Sequence, residues 1–328
     1  MTAADRTPGT STTAAGPTAP GSGRRVPGNG RPASGGARPS PGGTRPAPQG
    51  GRARAGAIGM VIGSALSVQF GSAVAALLFP RAGALGVVAL RLLFSAALML
   101  AICRPRLRGY SRTDWVAVAG LGVALGTMNS LFYQAIDRIP LGAAVTLELL
   151  GPLVLSVVAS RRALSLIWAA LALAGVYLLG AGGFEQLNLP GAAFALAAGA
   201  MWTAYILFNA RTGARFPKVD GLAIAMGIAA LVSAPLGMVS AGRALLDPVT
   251  LGLGVVVAVL SSGLPYTLEL LALRRLPAAT FAVLMSLMPV AATAAGFLVL
   301  HQSLGALQLL AIALVVGASM GAVRTSRG

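Results

Sequence analysis

The sequence predicts an all-α integral membrane protein: ten transmembrane helices as two inverted five-helix repeats, both termini cytoplasmic. Three observations carry this. The chain is 56% apolar and only 10% charged, with a mean hydropathy of +0.79, against roughly 25% charged residues in ordinary soluble domains. Arg138-Ile139-Pro140 recurs as Arg275-Leu276-Pro277, and Pro152 as Pro289, both at an offset of 137 (275 − 138 and 289 − 152). The basic residues fall in alternate connections between apolar segments, as the positive-inside rule requires.

Residues 1 to 55 are rich in Gly, Pro, Ser, Thr, Ala and Arg and lack apolar periodicity. Such a stretch cannot bury enough surface to offset the entropy of ordering, and it reads as a disordered cytoplasmic tail. It is not expected to be a cleavable signal peptide, because the first apolar run begins near Ala57. Its basic residues suit a solvated arm that sets topology or touches anionic lipid headgroups.

Ten apolar segments follow, near 57–79, 84–103, 115–136, 141–160, 164–182, 191–210, 221–240, 249–273, 278–300 and 304–323, each approaching the roughly 20 residues that span a bilayer. The first repeat covers 57–182 and the second 191–323. An odd number of spans per copy turns the second copy upside down, the arrangement found in secondary transporters. With the N-terminus inside, the inner connections and C-terminal end hold thirteen basic residues, among them Arg104, Arg106, Arg108, Arg112, Arg161, Arg162 and Lys218, against Arg81, Arg138 and Arg243 outside. One missed span would scramble every later connection. The net charge of +17 is thereby explained by topology, and no nucleic-acid partner is expected. The use of 24 Arg against one Lys, with abundant Ala and Gly, points to a GC-rich bacterial genome and so to a bacterial inner membrane.

Three ionisable residues fall within the spans: Arg91, Glu148 and Glu269. A charge at mid-bilayer costs roughly 2.5–3.5 kcal/mol on the insertion scale, so each calls for a partner or a purpose. Arg91, Asn129 and Glu148 each lie seven residues from the outer end of their span, which puts all three about 10 Å deep at 1.5 Å per residue. Two readings are open. In one, the cluster faces a water-filled pocket, Glu148 taking a proton or a substrate ammonium and Arg91 a carboxylate. In the other, it is a closed ion pair that locks three helices together.

Glu269 lies about four residues from the inner end of the eighth span, near Arg274 and Arg275, and is either a second proton carrier or an interfacial, snorkelling group. Pro265-Tyr266, at the repeat position of Met128-Asn129, is expected to interrupt that helix. Gln69, Tyr133, Trp202, Tyr205 and Tyr266 are further amphipathic groups in mid-helix, suited to a substrate pocket or to core packing. Pro152, Pro265 and Pro289 are candidate gating positions, because each removes a backbone donor and frees a carbonyl. Gly317 and Gly321 have the spacing of a close helix contact. Cys103 is the only cysteine, so no intramolecular disulfide forms. With one histidine, no Cys/His metal spacing, no GxSxG and no phosphate loop, enzymatic chemistry, metals and cofactors are not expected.

Leu78-Phe79-Pro80, Ala89-Leu90-Arg91-Leu92, Met128 to Tyr133, Pro140-Leu141-Gly142, Leu147-Glu148 with Gly151-Pro152, Ser160-Arg161-Arg162, Leu264 to Glu269 and Leu284 to Leu287 form a set of motifs. Together they resemble the EamA-type transporters of the drug/metabolite transporter superfamily, closest to the threonine/homoserine exporters. The resemblance spans about residues 57 to 323. It implies two pseudo-symmetric units around a central cavity and proton-coupled export of small amino acids, with the small-molecule substrate, protons and membrane lipids as partners. The chain departs from the pattern at Met288, where an acidic residue is expected, and at His301-Gln302, where Gly-Glu is common. Glu148 and Glu269 are left as candidate proton carriers. Two alternatives stay open: an exporter of drugs or other small metabolites on the same fold, and a non-transporting membrane enzyme or structural subunit.

Overall fold

The computed structural model describes residues 51–160, 163–181, 188–217, 219–273 and 275–325, all helical or in short connections, with no strand among them. Most of the stretch read as a tail, residues 1–50, lies outside the described residues, as do Arg161, Arg162, Glu185, Lys218 and Arg274. Nine stretches among the described residues are long and apolar enough to cross a membrane, and a shorter one, Leu166–Leu179, falls where the fifth span is expected.

Helix α1 (Gly51–Ala76) starts before the apolar run, because the Arg-Ala-Arg-Ala that precedes it is made of strong helix formers. The last five residues of the stretch read as a tail, Gly51 to Ala55, are thus helical. Helix α2 (Phe79–Cys103) is kinked at Gly83, whose φ of 63° departs from helical geometry, so its regular part begins at Ala84. Helix α3 (Arg112–Ile136) opens on a capping box: the Ser111 hydroxyl accepts from the Asp114 amide, and the Asp114 carboxylate accepts from the Ser111 amide. The other Asp114 oxygen accepts from Arg215 at 2.7 Å, tying this helix start to the connection after the sixth pass.

The fourth pass is split into α4 (Leu141–Glu148) and α5 (Leu150–Ser160). Helices α6 (Ala163–Ala181), α7 (Leu189–Gly213) and α8 (Asp220–Ala241) are continuous. The eighth pass comprises α9 (Pro248–Ala258), a π-helical turn at Val259–Gly263, and α10 (Leu264–Leu273). Asp247 caps α9. Its carboxylate accepts from the Thr250 amide at 2.9 Å and the Thr250 hydroxyl at 3.0 Å, which together hold it below the usual carboxylate range. The ninth pass is split into α11 (Ala278–Met285) and α12 (Met288–Leu300), and α13 (Ala306–Thr325) closes the bundle.

The two splits share a cause. Proline has no amide hydrogen, so the carbonyl four residues earlier loses its helical donor. Pro152 strips the carbonyl of Glu148 and Pro289 that of Met285, and α4 and α11 end at those residues, again 137 apart (285 − 148). Helix α2 packs on α8 and α9, α3 on α7 and α8, α1 on α10 and α12, α4 on α7 and α12, and α6 on α13. Exchanging each pass n with pass n + 5 maps this set of pairings onto itself.

Lipid tails are as apolar as leucine, so close van der Waals packing between small residues, rather than water exclusion, holds such helices together. Gly122 and Gly126, one turn apart on α3, sit against the backbone of Ala225 and Ala229 on α8. Gly321 on α13 is covered by the Trp168 ring of α6, while Gly317 faces open space. The glycine spacing in α13 thus serves one internal contact. Outward-facing Ile167, Leu173, Leu231 and Val239 form an apolar girdle that a water-soluble protein would not expose.

Candidate functional site

A cavity of about 530 Å³ lies at the centre of the bundle. Its lining includes Gln69 on α1, Arg91 on α2, Asn129 and Phe132 on α3, and Glu148 at the end of α4. From there its lining runs along α5 (Pro152 to Ser156), α7 (Trp202 to Asn209), α10 (Glu269), α11 (Phe281 to Met285) and α13 (Ser319 to Val323). All of these segments lie in the half of the bundle that ends at the basic connections. The opposite half is filled by the main core, including Leu78, Val87, Val88, Ile136, Leu141, Ala195, Ala292 and Ala295, all 5% exposed or less.

Arg91 and Glu148 are each 8% exposed and share the cavity wall, but among the described residues no salt bridge within 4 Å joins them. The guanidinium is held by other groups. Its Nη1 donates to the Tyr133 hydroxyl at 3.0 Å and its Nη2 to the Ser261 carbonyl at 3.3 Å, with the Tyr133 ring 5.4 Å away. That carbonyl is available because Pro265, four residues on, has no amide hydrogen to give it. The π-turn also strips the Leu260 carbonyl, since the Leu264 amide is taken by Val259, and the Ser67 hydroxyl supplies the missing donor at 2.6 Å. Ser95 adds a hydroxyl bond to Ser262 at 2.9 Å. The break expected at Pro265 is therefore a π-turn just before it, stitched to α1 and α2. Arg91 Nε, Ser261 Oγ and Gln69 Oε1 are buried with no hydrogen-bond partner among the described residues, an arrangement that costs about 1–3 kcal/mol per group.

Glu148 accepts no hydrogen bond from any described residue, and it is one of the residues of the cavity wall. Its backbone is fixed by a close helix crossing. A Cβ at Gly199 would lie 2.5 Å from the Glu148 carbonyl oxygen, and a Cβ at Gly151 would collide with the Gly199 carbonyl. Only glycine at both positions lets α7 approach the freed carbonyl. Asn129 turns its amide to its own helix, donating to the Leu125 carbonyl at 2.8 Å. Glu269 accepts from the Ser64 hydroxyl at 2.6 Å, a contact between α1 and α10 on the same wall.

Of the sequence-derived candidates, Gln69, Arg91, Asn129, Glu148, Pro152, Trp202, Tyr205, Pro265 and Glu269 line the cavity. Tyr133 does not; it is fully buried behind Arg91 and orients it. Pro289 lies off the wall, and the Tyr266 side chain lies outside the described residues. Sequence reasoning missed Asn209, Ser156, Ser286 and Ser319. Hydroxyls satisfied within their own helices, as Ser286 is at the Ala282 carbonyl, carry no charge signal that would single them out.

The chain resembles known proteins over most of this architecture. The EamA-like transporter family matches residues 189–324. The threonine/homoserine exporter RhtA of Salmonella typhimurium strain SL1344 is 42% identical over 263 residues, covering 80% of this chain and 89% of that one. The RhtA protein of Escherichia coli strain K12 is 41% identical over the same shares. A solved crystal structure, 21% identical, superposes with a TM-score of 0.54 over 82% of this chain and 97% of its own, a likeness of fold. With identity above 40% over 80% of its length to two exporters and a family match over residues 189–324, this chain belongs to the EamA-like transporter family.

Proposed function

We propose that the protein is a multi-pass exporter of the bacterial inner membrane that moves threonine, homoserine or similar small amino acids, coupled to protons, by alternating access. The observation that carries this reading is the pairing of Arg91 and Glu148 on one cavity wall without a salt bridge between them, in a chain 42% identical to a threonine/homoserine exporter. A zwitterion has the complementary charges. Its carboxylate goes to Arg91, whose terminal nitrogens are already anchored, and its ammonium to Glu148, to which no described residue donates a hydrogen bond. Gln69, Asn129, Trp202 and Tyr205 complete the substrate wall, and Tyr133 positions Arg91.

A carboxylate that holds either a proton or an ammonium lets one site serve both ligands in turn. Glu148 is the primary proton carrier, and Glu269, nearer the basic end, is the second. The bundle is two inverted repeats, 57–182 and 191–323, with both termini cytoplasmic. The exchange symmetry of the helix pairings and the thirteen-to-three distribution of basic residues support this. The cavity then opens to the cytoplasm. Counterflow of labelled threonine in proteoliposomes tests the reading. Unlabelled threonine and homoserine should drive uptake; no exchange with any of the standard amino acids, in vesicles shown to contain folded protein, would refute it.

A further inference from the structure

The fourth and ninth passes are each split in the middle, so each carries one half-helix at either end of the bundle. At the closed end, α4 packs on α12. Their symmetry counterparts at the basic end, α5 and α11, form no such packed pair among the described residues, and both line the cavity. Two crossing helices therefore touch at one end and part at the other, and the closed contact has identifiable fasteners.

The Gln302 side-chain oxygen accepts from the Leu141 amide at 3.0 Å. That amide is one of the four N-terminal donors of α4 that no helical carbonyl can take. Pro140 precedes it with no side-chain cap, so Gln302 supplies the missing acceptor from the other repeat. The chain around Gln302 is shaped for this. His301 turns into the left-handed region (φ 55°), the Gln302 amide donates to the Gly296 carbonyl at 3.0 Å, and the absent side chain of Gly296 leaves room for the glutamine amide. One residue into α4, a Cβ at Gly142 would lie 3.3 Å from the Thr293 Cβ and collide with its hydroxyl. The other end of this eight-residue helix is Glu148.

We infer that Gln302, with the Gly142–Thr293 contact, is the latch of the gate remote from the basic connections, and that it is a positioning residue for Glu148. While the latch holds, α4 is clamped to α12 and Glu148 faces the cavity at the basic end. When it releases, α4 swings about Leu149 and carries Glu148 to the other side, as α5 closes on α11. The inference rests on the reading of the chain as a carrier and adds to it the residues that hold one gate shut.

The test uses full-length protein in oriented vesicles, in a Cys103→Ser background. Gly142→Cys with Thr293→Cys places two Cβ atoms near the separation a disulfide requires, about 3.5–4.5 Å. Oxidation should join them and stop threonine counterflow, and reduction should restore it. A joined pair that still transports at the full rate overturns the proposal. Accessibility gives a readout independent of substrate. With the pair oxidised, Ser156→Cys should react from the side of the basic connections only; reaction from both sides overturns the gate.

Gln302→Ala should raise labelling of Thr293→Cys from the opposite side by roughly fivefold, the population shift expected from one lost hydrogen bond. Gln302→Glu, which keeps the acceptor, should not. Should Gln302→Ala fail to fold, Gly142→Ala wedges the same contact without touching Gln302, and unchanged Thr293→Cys labelling there also overturns the proposal. If counterflow is absent in every variant while the labelling follows these expectations, the substrate assignment fails and the latch stands.

Discussion

Replacing Glu148 by glutamine separates a transport site from a structural ion pair, because the two predict stability changes of different size. If Glu148 and Arg91 formed a closed buried pair, removing one partner would leave an uncompensated charge and cost about 3–5 kcal/mol. At roughly 2–4 °C per kcal/mol for a chain of this class, that is a fall of about 6–20 °C in apparent Tm. The structure gives a smaller figure. No salt bridge joins the two residues, Arg91 keeps both of its bonds, to Tyr133 and the Ser261 carbonyl, and no described residue donates to Glu148. Glutamine has the same shape, so Glu148→Gln should stay within about 1 kcal/mol of wild type, under roughly 4 °C. Export should be abolished, because an amide can neither take up and release a proton nor offer a negative charge to an ammonium. Purified variants would be heated in detergent and scored by monodisperse fraction, and the same preparations assayed for threonine counterflow at several pH values. A stable Glu148→Gln protein with normal, equally pH-dependent exchange refutes the site. A large Tm loss that Arg91→Gln reverses refutes the geometry.

Three further outcomes follow from particular contacts. Gly199→Ala drives a methyl to 2.5 Å from the Glu148 carbonyl oxygen, so α4 and α7 must part at an overpacking cost of about 1–3 kcal/mol; unchanged thermal stability would show that the crossing is looser than it looks. Arg91→Lys offers a single point charge to two anchors, Tyr133 and the Ser261 carbonyl. It should leave one unpaired, at about 1–3 kcal/mol, and raise the KM for substrate, and a wild-type KM counts against Arg91 as the carboxylate site. Single cysteines at Arg106 and Glu185, in a Cys103→Ser background, should label from opposite membrane faces. Labelling from one face breaks the ten-span topology.

The sequence by itself determined the number of passes, their boundaries to within a few residues and the internal repeat. Each depends on a quantity summed along the chain: apolar length against bilayer thickness, basic residues per connection, and the 137-residue offset of the two prolines. It also brought Arg91, Asn129 and Glu148 to one depth, because rise per residue converts position directly into height. Only the tertiary structure decided which way each group turns. Helical phase within a bundle of nearly uniform hydropathy is set by neighbouring helices, and Tyr133, equal to Asn129 as a sequence candidate, proved to lie behind Arg91 rather than on the cavity. The absence of a salt bridge between Arg91 and Glu148 was likewise beyond the sequence. It depends on a carbonyl freed 170 residues away by Pro265, which competes for the guanidinium. The clamp of Gln302 on the start of α4 joins residues 161 apart, and no local pattern encodes a contact that forms only when two repeats fold against each other.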